Sequence, residues 1–244
     1  MSEVIDTCRK DRTAGQTLGA WLRVARFQFY PMAFTAYSLG AVAAVATSAP
    51  FSPSVFFIGY AALFLIEFCT ILANEFYDYE TDRINANFSI FTGGTRMLVE
   101  GRLSSSNVRT ALVVSLCLTA LLGSALLMIN REASPVLAAA MLLTGLFFGL
   151  GYTVPPLKFS YRGAGELVVS GTHSFYLILC GYAFQAGTLS NALPWLLSLP
   201  LFFSVLGAIT LAGLPDRPAD SLVSKRTMAV IFCPRAAAFI ACGC

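Results

Sequence analysis

Charged residues are scarce in this sequence. They make up 12% of the 244 residues, whereas 57% are hydrophobic. A soluble domain carries about twice that charged fraction, so the composition excludes an ordinary soluble domain. Histidine occurs once, and the seven cysteines lack the paired spacing of a metal or redox site. We expect most of the cysteines to act as small apolar side chains.

Long hydrophobic runs dominate the sequence instead. A transmembrane helix needs roughly 20 apolar residues, and the alternation typical of a β-barrel is missing. The sequence therefore predicts an all-α, multi-pass membrane bundle of about seven spans, with a segment 1–26 ahead of a membrane domain 27–244. The predicted spans are 27–48, 54–74, 110–129, 134–153, 166–186, 193–214 and 227–243.

Basic residues are distributed unevenly over the predicted connections. Apart from Arg131 and Arg235, the 16 Lys and Arg all lie in the N-terminal segment or in the connections after spans 2, 4 and 6. Such an excess is typical of cytoplasmic loops. We therefore expect the N-terminal segment and these longer loops to face the cytoplasm, and function to reside on that side.

Two acidic motifs follow spans 2 and 6 on the same predicted side. Asn74, Asp78 and Asp82 are spaced four residues apart, and Asp216 and Asp220 repeat that spacing. Residues at this spacing share one helix face. One such motif alone is compatible with a solvated helix end. Two facing motifs of hard oxygen ligands indicate a Mg²⁺ site, which substrate phosphates commonly complete.

Basic residues on the same side support a phosphorylated ligand. Arginine binds phosphate oxygens in a bidentate manner, and lysine supplies a compact charge. Each of them taken alone is also explained by membrane topology. The candidate diphosphate ligands are Arg26, Arg96, Lys158, Arg162 and Lys225.

Four stretches together resemble the UbiA superfamily of intramembrane prenyltransferases: NEFYDYETDR from residue 74, FTGGTR at 91–96, GYTVPPLKFSYRGAGEL at 151–167 and LPDRPADSLVSKRTMAV at 214–230. The pattern is most similar to the 1,4-dihydroxy-2-naphthoate prenyltransferase branch of menaquinone synthesis. The resemblance covers roughly residues 15–235. It implies nine helices around a central cavity, and Mg²⁺-dependent transfer of a prenyl group from an isoprenyl diphosphate to an aromatic acceptor.

The resemblance also implies roles for individual residues. Asn74, Asp78 and Asp82 occupy the first metal motif, and Asp216 and Asp220 occupy the second. The four aspartates would be catalytic through the metal, which would stabilise the departing diphosphate as a Lewis acid. An apolar, aromatic-rich chamber would protect an allylic cation from water. The diphosphate contacts that the resemblance implies are Arg26, Lys158, Arg162 and Lys225.

Several features depart from the family pattern. Glu75 stands where the family has Asp, and Ala212 and Gly213 replace polar residues ahead of the second motif. We expect Pro218 to disturb the helix that should align Asp216 with Asp220. Seven predicted spans against the family's nine also lead us to expect a C-terminally truncated chain.

Two polar residues are predicted inside spans. Glu67 would either orient an acceptor or bond to a neighbouring helix, and His173 would either form an interhelical hydrogen bond or act as a base.

Several functions remain open at this stage. The acceptor could be a naphthoate, a 4-hydroxybenzoate or a non-aromatic alcohol. Other possibilities are a transporter, since intramembrane acids occur there too, and an inactive remnant. We expect the lipid bilayer as a partner and no nucleic acid.

Overall fold

The computed structural model describes residues 14–89, 92–130 and 134–244. Within these ranges the chain forms helices and turns and no β-strand. The all-α prediction is therefore confirmed. The division of the chain at residue 26 stays a prediction.

Twelve α-helices follow one another along the described chain. A short 3₁₀ turn, Phe159–Tyr161, precedes α7, and a π-helical turn, Thr172–Tyr176, joins α7 to α8. The helices are α1 (Ala14–Ala25), α2 (Tyr30–Ala46), α3 (Pro53–Tyr77), α4 (Tyr79–Ile84), α5 (Ser105–Ile129), α6 (Pro135–Gly151), α7 (Gly165–Gly171), α8 (Leu177–Ala186), α9 (Leu193–Ala212), α10 (Arg217–Leu222), α11 (Met228–Ile231) and α12 (Pro234–Gly243).

Four helices are long and apolar enough to cross a membrane. They are α3, α5, α9 and the continuous helix Gly165–Ala186 that contains the π turn. A fifth is added if α1 and α2, which are bent by 46° at their junction, count as one span, and α6 is apolar but shorter. Helices therefore occupy all of the first six predicted spans.

The predicted seventh span, 227–243, is wrong as a single helix. It consists of α11 and α12, separated at Phe232 and Cys233, which both have extended backbone conformations. The residue before a proline is disfavoured in the helical conformation, and Pro234 follows directly. The break is therefore encoded locally.

Two helix starts, those of α5 and α6, carry a side-chain cap. Ser104 accepts a hydrogen bond from the backbone N–H of Asn107 at 3.1 Å and thereby caps α5. Ser134 caps α6 in the same way through the N–H of Leu137 at 3.2 Å, with Pro135 in the first turn.

The bundle core depends on close helix crossings. Gly40 of α2 and Gly181 of α8 each face the other helix's backbone, where an added Cβ would collide with the carbonyl oxygens of Ile178 and Tyr37. Small residues permit this close approach in membrane bundles. The Tyr37 hydroxyl donates a 3.0 Å hydrogen bond to the carbonyl of Phe56 and ties α2 to α3.

Large apolar side chains also point outward from the spans. Leu121, Leu143 and Leu196 are each at least 60% exposed. An apolar surface of this kind is unfavourable in water and suits a lipid environment. The bundle is therefore built as an integral membrane protein.

Candidate active site

The two acidic motifs meet at one end of the bundle, where α4 packs against α10. Asp78 lies at the junction between α3 and α4. Its backbone N–H nevertheless donates a 2.9 Å hydrogen bond to the carbonyl of Asn74, and the N–H of Asp82 donates a 2.9 Å hydrogen bond to the carbonyl of Asp78. The one-turn spacing of the first motif is thus kept across the junction.

The second motif also keeps its helical spacing. The Asp220 N–H bonds to the carbonyl of Asp216 at 2.9 Å, and α10 begins directly after Asp216. Pro218 falls in the first turn of α10, where the missing N–H costs nothing. The expectation that Pro218 disturbs this alignment is therefore wrong.

The ammonium group of Lys225 lies between the two motifs. Its Nζ atom is 2.8 Å from Asp78 Oδ2 and 3.8 Å from Asp220 Oδ1. All three side chains are largely buried, with 13%, 3% and 4% of their areas exposed. Burial by itself would lower the pKa of Lys225, but Asp78 and Asp220 outweigh that effect and raise it.

Tyr161, from the connection between α6 and α7, completes this cluster. Its hydroxyl donates a 2.9 Å hydrogen bond to Asp78 Oδ1. The Nζ atoms of Lys158 and Lys225 lie 4.1 and 5.3 Å from the centre of its ring. Burial, reinforced by the Asp78 charge, raises the pKa of Tyr161 to about 12, so the hydroxyl stays protonated and remains a donor.

Asp216 is held by the loop that follows α4. Its Oδ1 accepts a 2.8 Å hydrogen bond from Asn85 Nδ2, and its Oδ2 accepts a 3.1 Å bond from the N–H of Gly93. The loop after the first motif therefore orients the second motif. Burial nevertheless raises the pKa of Asp216.

Mutual repulsion and burial affect the other aspartates. Burial, with the nearby charges of Asp78 and Glu75, raises the pKa of Asp82 to about 8. Burial raises the pKa of Asp220 to about 6, although Lys225 opposes the shift. Gly94 packs directly against the Asp82 carboxylate, since a Cβ at this glycine would collide with it. The cluster holds more negative charge than Lys225 alone compensates.

Glu75 of α3 anchors the loop that follows α4. Its buried carboxylate accepts hydrogen bonds from the Thr95 hydroxyl at 2.6 Å, the Thr95 N–H at 3.3 Å and the Leu98 N–H at 3.2 Å. The oxygens of Glu75 are thus used in positioning the loop. The presence of Glu75 where the family has Asp is therefore explained by these hydrogen bonds to the loop.

The predicted diphosphate ligands divide into two groups. Arg96 donates to the carbonyl oxygens of Asp82 and Asn85, so it braces the loop. The exposed Arg162 donates to the carbonyl of Pro156 at 2.7 Å. In contrast, Lys158 and Lys225 flank Tyr161 at the cluster.

Arg26, like Lys158 and Lys225, lies near the acidic cluster. Its side chain is within electrostatic range of Glu75, Asp82 and Asp216, and its guanidinium lies 4.8 Å from the centre of the Phe29 ring. Asn74 is half-buried on α3, one turn before Asp78. The roles assigned to all these residues stay predictions.

Three residues at or near the cluster were not predicted from the sequence. Tyr161 and Glu166 lie within the stretch 151–167, and Asn85 follows the first motif. Glu166 is buried, and its Oε1 accepts a 2.7 Å hydrogen bond from the N–H of Met228, three residues beyond Lys225. Only the contact with a distant segment distinguishes these residues from ordinary loop residues, so no local sequence signal could have identified them.

The donor set is compatible with a magnesium ion. Among the described residues no three His, Cys, Asp or Glu side chains converge into a preformed metal cluster. However, both motifs supply hard oxygen donors, which Mg²⁺ prefers, and a cationic ammonium group already lies between them. The excess negative charge provides the driving force for binding a further cation.

Comparison with known proteins identifies the architecture. A family model described as the UbiA prenyltransferase family matches residues 32–244. The chain belongs to this family. The resemblance inferred from the sequence motifs is thereby confirmed.

One curated protein and one solved structure are similar to this chain. The 1,4-dihydroxy-2-naphthoate octaprenyltransferase of Escherichia coli (strain K12) is 26% identical over 181 residues, which cover 71% of this chain and 56% of that protein. The chain therefore spans little more than half the length of this curated relative. The apo structure of a UbiA homolog from Aeropyrum pernix K1 superposes with a TM-score of 0.66 at 16% identity, over 88% of this chain and 74% of the other, which supports the UbiA fold.

Proposed function

We propose that this UbiA chain transfers a prenyl group from an isoprenyl diphosphate to an aromatic acceptor within the membrane, in a Mg²⁺-dependent reaction. The observation that carries the proposal is the meeting of both acidic motifs around Lys225 at one end of an apolar bundle. The curated relative, named for octaprenyl transfer to 1,4-dihydroxy-2-naphthoate, supports a hydroxylated naphthoate as the acceptor.

The metal would be held by oxygens of the first motif, Asn74, Asp78 and Asp82, and of the second motif, Asp216 and Asp220. When bound, it supplies Lewis-acid stabilisation of the negative charge on the diphosphate.

The remaining contributions come from the chain's own side chains. Lys225 and Lys158 present ammonium groups to the diphosphate, and their charges stabilise the leaving group as it departs. Asn85 and the Gly93 amide keep Asp216 oriented. Because the bundle below is apolar, it keeps water away from the allylic carbon while the acceptor ring attacks.

A vesicle assay tests the proposal. Purified protein in lipid vesicles is given a radiolabelled isoprenyl diphosphate, 1,4-dihydroxy-2-naphthoate and Mg²⁺, and both prenylated product and released diphosphate are measured. We expect product only with Mg²⁺, and at least a 100-fold loss of rate in Asp78→Asn.

The matched control is Glu80→Gln, since Glu80 is exposed and pairs with the exposed Arg83 in the same short helix. It should retain the wild-type rate. Equal rates for wild type and Asp78→Asn would refute the metal assignment. Passage of the labelled compound across the bilayer without diphosphate release would instead indicate transport.

A further inference from the structure

An ionisable pair lies inside the bundle, away from the acidic motifs. Glu67 of α3 and His173 of the π turn face each other, with Oε1 and Nε2 3.8 Å apart. About one-fifth of each side chain is exposed, 18% for Glu67 and 22% for His173. Ionisable groups at such depth are costly and usually serve a function. Helical π turns are also frequent at functional sites.

The pair lies on the same face of α3 as the first acidic motif. Tyr60, Phe64, Glu67, Asn74 and Asp78 follow helical spacing along one stripe. Glu67 precedes Asp78 by eleven residues, or about 16 Å of helical rise. This separation is too large for Glu67 to share a metal ion with the aspartates. The pair is therefore a second polar site in the same interior.

The hydrogen bonding of His173 determines where its proton lies. Nδ1 is 3.0 Å from the carbonyl oxygen of Val169, which can only accept, so Nδ1 carries a hydrogen. Nε2 is then either a bare acceptor or, in the imidazolium, a donor towards Glu67. The neutral histidine and the carboxylate together present two acceptors without a proton between them. A hydroxyl group of a ligand would supply the missing proton as a donor to one of them.

Aromatic side chains lie near Glu67, which is within electrostatic range of Tyr30 and Tyr60. The rings of Tyr30 and Phe64 lie 4.3 Å apart, and the Tyr60 hydroxyl donates a 3.4 Å bond to the carbonyl of Tyr30. The hydroxyl of Tyr30 is buried and forms no hydrogen bond within the described part of the protein. The π turn packs against α6 and α9, which carry no titratable side chains, and against α2, which carries Tyr30 and Tyr37. The surroundings thus suit a flat, hydroxylated aromatic ring.

We propose that Glu67 and His173 bind a hydroxyl group of the aromatic acceptor and accept its proton. This inference rests on the proposed function. The hydroxyl proton passes to Nε2 of His173, where Glu67 stabilises the imidazolium. The phenolate's ring carbon forms a bond to the allylic carbon as the C–O bond to the diphosphate breaks and its electron pair leaves with the diphosphate. The ring C–H proton passes to the released diphosphate, and His173 returns its proton to the oxygen.

Direct ligand binding tests this site without requiring turnover. Wild type, Glu67→Gln and His173→Gln in lipid nanodiscs are titrated with 1,4-dihydroxy-2-naphthoate and with its 1,4-dimethoxy derivative, which lacks the hydroxyl donors. We expect wild type to bind the dihydroxy compound at least tenfold more tightly than the ether. Both variants should lose this preference and show a raised KM for the acceptor, with the KM for the prenyl diphosphate unchanged.

The Asp78→Asn variant provides the opposite control, since it should keep acceptor binding and lose turnover. Equal affinity of wild type for the dihydroxy compound and the ether would overturn the proposal. So would variants that unfold at lower temperature yet retain the preference, because the pair would then be an interhelical clamp. A wild type that shows the preference but never transfers a prenyl group would refute the proposed function and leave this site standing.

Discussion

At the residue scale, the charge balance of the cluster depends on Lys225. It is the cation in direct contact with one carboxylate of each motif, and all three groups are buried. Removing one partner of a buried ion pair leaves an uncompensated charge, which is far more costly than losing an exposed pair.

Replacing this lysine should therefore destabilise the protein when no divalent cation is present. We expect Lys225→Met to lower the free energy of unfolding by about 3 kcal/mol, measured by denaturant titration with a chelator. Added Mg²⁺ should restore part of the loss by supplying the missing charge. Arg83→Met, which removes an exposed pair with Glu80, should change stability by less than about 1 kcal/mol. Similar losses in both variants would contradict this account.

The raised pKa values of Asp82 (about 8) and Asp220 (about 6) predict a pH dependence. The folded protein keeps protons that the unfolded chain releases near pH 4. Stability without metal should therefore fall as pH rises from about 4 to about 8. Melting temperatures recorded with a chelator test this, and Asp82→Asn should remove most of the slope between pH 6 and 8. A flat wild-type profile over that interval would refute the prediction.

At the scale of elements, the loop between α4 and α5 connects the two motifs. Glu75 holds its C-terminal part from α3, while Asn85 and the Gly93 amide reach across to Asp216. The first motif, the loop and the second motif thus form one hydrogen-bonded unit.

Weakening the anchor should loosen this unit. A glutamine at position 75 keeps one acceptor oxygen but replaces the other with a donor, so the three hydrogen bonds cannot all form. We expect Glu75→Gln to cost about 1–3 kcal/mol and to speed amide exchange at Thr95 and Leu98. Hydrogen exchange read by mass spectrometry measures this, with the exposed Glu80→Gln as the control. Unchanged exchange at both amides would show that Glu75 does not hold the loop.

The crossing of α2 and α8 gives a second prediction for elements. A methyl group at Gly40 would collide with the backbone of Ile178, whereas one at Gly19 of α1 would meet nothing within 4 Å. Gly40→Ala should therefore destabilise the bundle by about 1–3 kcal/mol, and Gly19→Ala should be neutral or slightly stabilising. Thermal unfolding in detergent compares the two. Equal melting temperatures would mean that the helices can separate without cost.

At the scale of the whole molecule, the basic loops predict the orientation in the membrane. The acidic motifs, Lys158 and Lys225 gather at one end of the bundle, and the positive-inside rule assigns that end to the cytoplasm.

Cysteine labelling tests the orientation. In a background without the seven native cysteines, single cysteines are placed at the exposed positions Ser105 and Ser190. In intact cells an impermeant maleimide should label position 190 and leave position 105 unlabelled, and cell lysis should make both reactive. Labelling of position 105 alone in intact cells would reverse the proposed orientation.

The sequence by itself determined the class of the protein. Apolar runs of bilayer length, the repeated Asp spacing and the Ser104 cap are local patterns that follow from helix geometry, so α3, α5, α9 and both motifs could be located without a structure. Pro234 could also have revealed the break in the predicted seventh span, since its effect on the preceding residue is local.

Only the tertiary structure decided which polar groups meet. Asn85 with Asp216, Tyr161 with Asp78, and Lys225 between Asp78 and Asp220 are pairs separated by 83 to 147 residues, apart from the short link between Asp220 and Lys225. The tertiary structure also shows that Glu75 and Arg96 form hydrogen bonds that hold the loop after α4. Local spacing fixes the face of a helix on which a side chain lies, but its partner depends on how distant helices pack, which no local pattern specifies.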